Sequence, residues 1–280
     1  MKPRIILTLL ALISFLSSLL MGSEEDRFFY DGVRAEASGD LDQAVHFYLQ
    51  AAKLSHSSNL HGNLANLYFK KKQFGHAILH FRKALLLQPT NRELSVNLQF
   101  AYEMARIPPL SNDFAHSYFA SDTFFFWCVL CAVVFWLGFL VFIYLFFFNP
   151  SRAVLFYFTM GWIFSGGLTG YATHLSHIQN AELLREGIAI LPTENEANQT
   201  KNISLRRFAG ETNSANTTLL PGQSLIIDLG KEGKIRSHES SDGKNWFLAR
   251  SQDGKKKGWI KEDEFGWLID RKNRTKTFSL

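Results

Sequence analysis

The chain has 280 residues, 46% of them apolar and 20% charged, with a formal net charge of +5. Length alone admits one large domain or two small ones, but the apolar residues fall in separate blocks, which favours small modules. Two cysteines exclude a disulfide framework, so any exported module must fold by burying a core.

Lys2 and Arg4 precede an uncharged run from Ile5 to Leu20. A basic n-region followed by an apolar h-region is an export signal. Residues 1–22 are therefore expected to be a signal peptide cleaved near Gly22, or an anchor, with the chain beyond them translocated. An exported location removes nucleic acid as a partner despite the basic balance.

Residues 24–107 carry an internal repeat. Gly32, Ala44, Tyr48 and Ala51 recur as Ala65, Ala77, Phe81 and Ala84, each displaced by the same interval, and the second copy ends at Pro89. Each copy reads as a helix, a short polar turn (Ser38-Gly39-Asp40; Lys71-Lys72-Gln73) and a second helix with Ala, aromatic, Ala at i, i+4, i+7. Small residues at that spacing permit close helix crossing while the ring fills the gap.

This pattern resembles the tetratricopeptide repeat, whose period is about 34 residues. The second copy fits best: Leu64, Ala65, Tyr68, Ala77, Phe81, Ala84 and Pro89 fall on signature positions, with His61 in place of Trp and Lys72 in place of Gly. The first copy has Asp31 and Ala35 where Leu and Tyr are expected. Asn97, Leu98, Ala101 and Tyr102 resemble the first helix of a third copy, ended by Pro108-Pro109.

Two and a half copies are few for a solenoid that buries apolar faces only against neighbours. The resemblance implies a concave groove for protein or peptide partners, lined by Phe29, Asn63, Asn66, Phe69, Lys70, Asn97 and Phe100. Side-chain amides both donate to and accept from an extended peptide. The alternative for Asn63 and Asn97 is a purely local role. Paired basic groups that would clamp a terminal carboxylate are not evident.

From Phe124 to Phe148 there is no charge and no proline, enough for roughly 37 Å of helix. Residues 123–148 are expected to be a first membrane span. Asn149-Pro150-Ser151-Arg152 breaks it, and residues 153–175 form a second, in which Gly161, Gly166, Gly167 and Gly170 would let a partner helix approach closely. Four residues can join only antiparallel neighbours, so the spans form a two-helix transmembrane hairpin. With the signal setting orientation and Arg152 in the inner turn, both end modules lie outside. Cys128 and Cys131 sit within the first span, away from the turn and positive charge that would make them a redox pair.

Residues 186–270 alternate like strands after a short exit helix over Asn180 to Glu186. Strands are expected over Gly187–Pro192, Ile203–Arg207, Leu225–Leu229, Asn245–Arg250 and Trp259–Ile260, separated by Pro221-Gly222, Gly243 and Asp253-Gly254. Pro221-Gly222, then Trp246-Phe247-Leu248-Ala249, then Gly258-Trp259-Ile260 resemble the bacterial SH3-like domain, an all-β barrel. An Asn/Thr-rich insertion between Glu194 and Thr218 departs from that pattern. Trp246, Trp259 and Trp267 are the candidate ligand surface, for peptides or peptidoglycan, with Trp259 expected to be mostly buried. Lys255-Lys256-Lys257 reads as a solvated hairpin tip, with attraction to anionic lipid headgroups or acidic wall polymers as the alternative.

Catalytic constellations are absent, and neither a cofactor nor an enzymatic role is called for. His76 with His80, and His174 with His177, have helical spacing but no third metal ligand nearby. Four N-x-S/T triplets, at Asn198, Asn202, Asn216 and Asn273, read as polar loop composition.

The order of modules resembles the Bat aerotolerance proteins of the E type. That resemblance implies a bacterial inner-membrane scaffold, without enzymatic activity, associated with a MoxR-type ATPase and von Willebrand A-type Bat proteins in envelope or oxidative-stress tolerance. The rival reading is a cell-wall sensor that binds peptidoglycan through the strand domain.

Overall fold

A computed structural model describes residues 24–108, 123–148, 151–192, 202–210, 214–230, 233–240 and 243–269. The expected signal, Pro109, Asn149-Pro150, Asn198 and Asn273 lie outside these residues. The chain divides into two compact units. The described residues within 1–107, 188–224 and 237–266 form one, and those within 108–187, 225–236 and 267–280 the other.

Among the described residues the first unit opens with five helices: α1 (Glu24–Ala37), α2 (Leu41–Leu54), α3 (Ser58–Lys70), α4 (Phe74–Leu87) and α5 (Arg92–Met104). The repeated small residues are its core, with Ala44, Ala51, Ala65, Ala77 and Ala84 all at 0% exposure and Tyr48 and Phe81 at 1%. Gly32 matches Ala65 in the repeat because a Cβ there would lie 2.7 Å from the Tyr48 ring. The phenol needs that space.

The first helix of each copy ends in the same left-handed turn. Gly39 has φ +83, Lys72 φ 62 and Arg106 φ 56. The two amides after each helix return to its last carbonyls: Gly39 N to Glu36 O and Asp40 N to Ala35 O, Lys72 N to Phe69 O and Gln73 N to Tyr68 O, Arg106 N to Glu103 O and Ile107 N to Tyr102 O. Glycine suits such a position because it has no Cβ to clash. Only the first copy has it.

Part of the strand region folds onto α4 within the same unit. A Cβ on Gly75 would meet Ala189 O and Gly222 N, each at 3.1 Å, and one on Gly222 would lie 2.5 Å from Ile78 Cδ1. A Cβ on Gly266 would run into Leu79 Cδ2. The Arg82 guanidinium donates to Ser224 Oγ at 2.9 Å, and His76 Nε2 donates to the Leu191 carbonyl at 3.1 Å. Ile78 and Leu79 are buried as a result. Strand-domain cover thus lies on the second helix of the last complete copy.

The strands are β1 (Glu186–Ala189), β2 (Ile203–Arg206), β3 (Ala215–Leu219), β4 (Ser224–Ile227), β5 (Ser237–Glu239), β6 (Asn245–Ser251), β7 (Lys257–Lys261) and β8 (Phe265–Trp267). Their order is β3-β2-β7-β6-β4-β1-β8, with β5 on β6. β3 and β8 stand at the ends, so among the described residues the sheet is antiparallel and open, not closed into the expected barrel. The stretch read as an insertion supplies the extra edge: Ile203 pairs with Leu219 and Leu205 with Thr217, with a bulge between Leu205 and Arg206. Gly258 lets β2 come close, since a Cβ there would lie 2.8 Å from Arg206 O. Arg206 pairs with Trp259 on β7.

In the second unit, α6 (Phe124–Phe147) and α7 (Arg152–Leu183) are long and apolar enough to cross a membrane, and no residue of α6 is buried. Trp162 is a knob in the hairpin's packing. The Trp162 indole occupies the space where a Cβ on Gly138 would sit and donates to the Val134 carbonyl at 3.0 Å. Gly161, Gly166, Gly167 and Gly170 meet nothing within 4 Å, which corrects the expectation that they mediate the close approach. No break falls at Leu175, and α7 runs on through the residues assigned to an exit helix as far as Leu183.

Candidate functional site

All seven groove candidates lie on the first helices of the copies: Phe29 on α1, Asn63, Asn66, Phe69 and Lys70 on α3, Asn97 and Phe100 on α5. Their local roles differ. Phe29 packs its ring 5.6 Å from that of Tyr48. Asn63 hydrogen-bonds the Tyr48 hydroxyl, which burial and then the nearby Glu36 carboxylate push up to about 12. Lys70 Nζ reaches Glu36 Oε1 at 2.7 Å, tying α3 to α1. Asn63 and Lys70 therefore serve the joint between copies.

Phe69 stands 5.4 Å from Phe100 and 5.5 Å from Phe74, ring centre to ring centre. An aromatic run thus crosses from α5 through α3 to the start of α4. Phe100 is half exposed, and Asn66 and Asn97 are partly exposed beside the run. Phe74 was not among the expected residues. Its position just after the polar turn gave the only available signal.

Phe74 also lines a cavity of about 490 Å³ within this unit. Its walls come from the turn Lys72 to His76, the end of α5 at Met104 to Arg106, and the strand-region residues Leu191, Asn202, Leu220 and Pro221. Gln73 is buried in its wall, and Gln73 Oε1 has no hydrogen-bond partner. The α4 helix starts at Gln73 without a side-chain cap. Among the described residues, Lys72, His76 and Arg106 line the cavity and no acidic residue does.

Beside it, the His pair of α4 is part of a buried ring stack. His76 and His80 lie 4.7 and 5.4 Å from the Tyr68 ring, and His80 Nδ1 shares a 3.1 Å hydrogen bond with His61 Nδ1. Burial first, then the facing His61, holds the His80 imidazole well below its ordinary range. Among the described residues no group of three or more His, Cys, Asp or Glu is arranged to hold a metal.

The strand-domain surface needs correction. Trp246 is 0% exposed, with the Arg206 guanidinium 4.8 Å from its ring, and so is no part of a ligand shelf. On β6 every residue from Trp246 to Ala249 is buried, so both faces are covered and alternation does not separate core from surface. Trp259, expected to be mostly buried, is partly exposed beside His238. Trp267 is partly exposed at the end of β8. In the lysine run, Lys256 Nζ donates to the Thr218 carbonyl at 2.7 Å while Lys255 and Lys257 face solvent.

Residues 58–91 match the tetratricopeptide repeat family, covering α3, α4 and the turn that bears Lys72 and Gln73. No curated protein matches the chain. The match points to a protein–protein interaction scaffold with protein partners, and repeats of this kind are typically non-catalytic.

Proposed function

We propose that this chain is a non-enzymatic, membrane-tethered scaffold that captures protein or peptide segments on the first helices of its repeats. The observation that carries it is the aromatic run Phe100, Phe69, Phe74, flanked by the amides of Asn66 and Asn97 on a repeat whose small-residue core is fully buried. Rings supply contact area at low entropic cost and amides bond an extended backbone. Helices α6 and α7 support the tether, with both end modules outside. The order of modules supports a bacterial inner-membrane role resembling the Bat aerotolerance proteins of the E type, with von Willebrand A-type Bat proteins as partners and an SH3-like ancestry for the open sheet. Burial of Trp246 weighs against the rival peptidoglycan sensor.

The test is co-purification from detergent-solubilised membranes. Asn66→Ala with Phe100→Ala should lose captured partners while melting like the parent. Retention of every partner by that well-folded variant would rule out the groove. Reporters active only outside the inner membrane should work when fused after Arg106 and fail at Ser151; the reverse result would overturn the orientation.

A further inference from the structure

The cavity below the aromatic run has a chemistry the groove lacks. We infer that it is a second recognition pocket, taking an apolar side chain followed by an acidic one from an extended segment of a partner protein. This rests on the scaffold reading and adds a specificity to it.

Three observations define the ligand. Phe74, Met104 and Leu220 make an apolar wall in a volume suited to one or two side chains. Gln73 also lines this volume, so a polar amide side chain stands beside the apolar wall, as the backbone of an entering peptide would need. Among the described residues, Lys72 and Arg106 stand exposed on the rim with no ion pair and no acid in the lining, so the charge they complement is negative.

The placement of those cations selects an acidic side chain. Because they are at the mouth and not on the floor, the apolar group goes in and its acidic neighbour stays at the rim. The uncapped start of α4 adds favourable charge for a carboxylate beside it. Both cations occupy the left-handed turn position that holds Gly39 in the first copy, so the repeat itself brings them to one mouth.

The experiment uses the full chain in detergent and fluorescence anisotropy of labelled, end-blocked hexapeptides with one Leu-Glu pair in a Gly/Ser background. Leu-Gln and Gly-Glu counterparts should bind about tenfold more weakly, the loss expected for one charge-assisted bond or one buried aliphatic group. Lys72→Gly with Arg106→Gly should cause a similar loss without lowering the melting temperature, since glycine suits both backbones. Asn66→Ala with Phe100→Ala should leave hexapeptide binding unchanged, which separates this pocket from the groove. Equal binding of Leu-Glu and Leu-Gln, an unaffected double glycine variant, or no saturable binding would each overturn the proposal.

Discussion

The two complete repeats carry the same core and differ in what lies outside it. In the first, α2 turns Asp42 and His46 to solvent; in the second, the corresponding positions on α4 are Gly75 and Leu79, both buried against the strand region. Val45 and Ile78 are buried in both copies. The repeat pattern therefore specifies the helix pair, whereas departures from it specify the neighbour. A glycine where the first copy has an acid is a mark of backbone approaching backbone.

The difference between the copies should show most at the contact itself. Gly222→Val combines a φ of +98 with a Cβ 2.5 Å from Ile78, so it should cost about 3–5 kcal/mol in chemical denaturation. Gly39→Ala, at φ +83 with nothing within 4 Å, should cost about 1 kcal/mol for the backbone alone. Equal losses would mean that α4 has no cover.

A smaller effect comes from the side chains that differ between copies. Leu79→Ala should cost about 2–4 kcal/mol and His46→Ala less than about 0.5. Similar costs at both positions, measured by the same unfolding curve, would erase the distinction between a dressed and a bare helix.

Titration separates the copies again. His80 lies in the second copy only, against His61 from α3 and with His76 and Lys83 on its own helix, all of which disfavour its protonation. Its folded value lies below the ordinary 6.5, so above that pH neither state binds the proton and the stability is fully present. As pH falls below about 6.5 the unfolded chain takes a proton that the folded chain refuses. Stability should then fall by up to about 1.4 kcal/mol per pH unit until the folded value is reached. Melting curves between pH 7.5 and 5.5 check this, and a His80→Gln variant should show the flatter slope.

The smallest change is a gain. Lys72→Gly relieves a left-handed backbone that glycine adopts freely, and should stabilise by about 0.5–1 kcal/mol. A loss of stability would show that Lys72 makes a structural contact the first copy does without.

Much of this was legible from residue spacing because helix pairs are local. Ala44, Tyr48, Ala77 and Phe81 announced their burial through a period that needs no long-range information. The strands at Ile203, Leu225 and Asn245 were legible from turn formers, but β3 was hidden in Asn216-Thr217-Thr218, whose polar composition suits an edge. Trp246 misled because a strand covered on both faces has no alternation to read. Gly161, Gly166, Gly167 and Gly170 misled because small size permits an approach without requiring one, and Trp162 fixed it at Gly138 instead. The cover on α4 was unreadable in principle. Gly75, Gly222 and Gly266 meet their partners only after the chain has returned from far along its length.

That return has a consequence in time. Ile78 and Leu79 are made early, yet Gly222 and Gly266, which meet them, are made roughly 140 and 190 residues later. At synthesis rates of about 5–20 residues per second, the outer face of α4 stays bare for on the order of 10–40 s. During that interval an apolar helix face is offered to anything nearby, and a binding factor or a nascent second copy has its best opportunity before the sheet arrives.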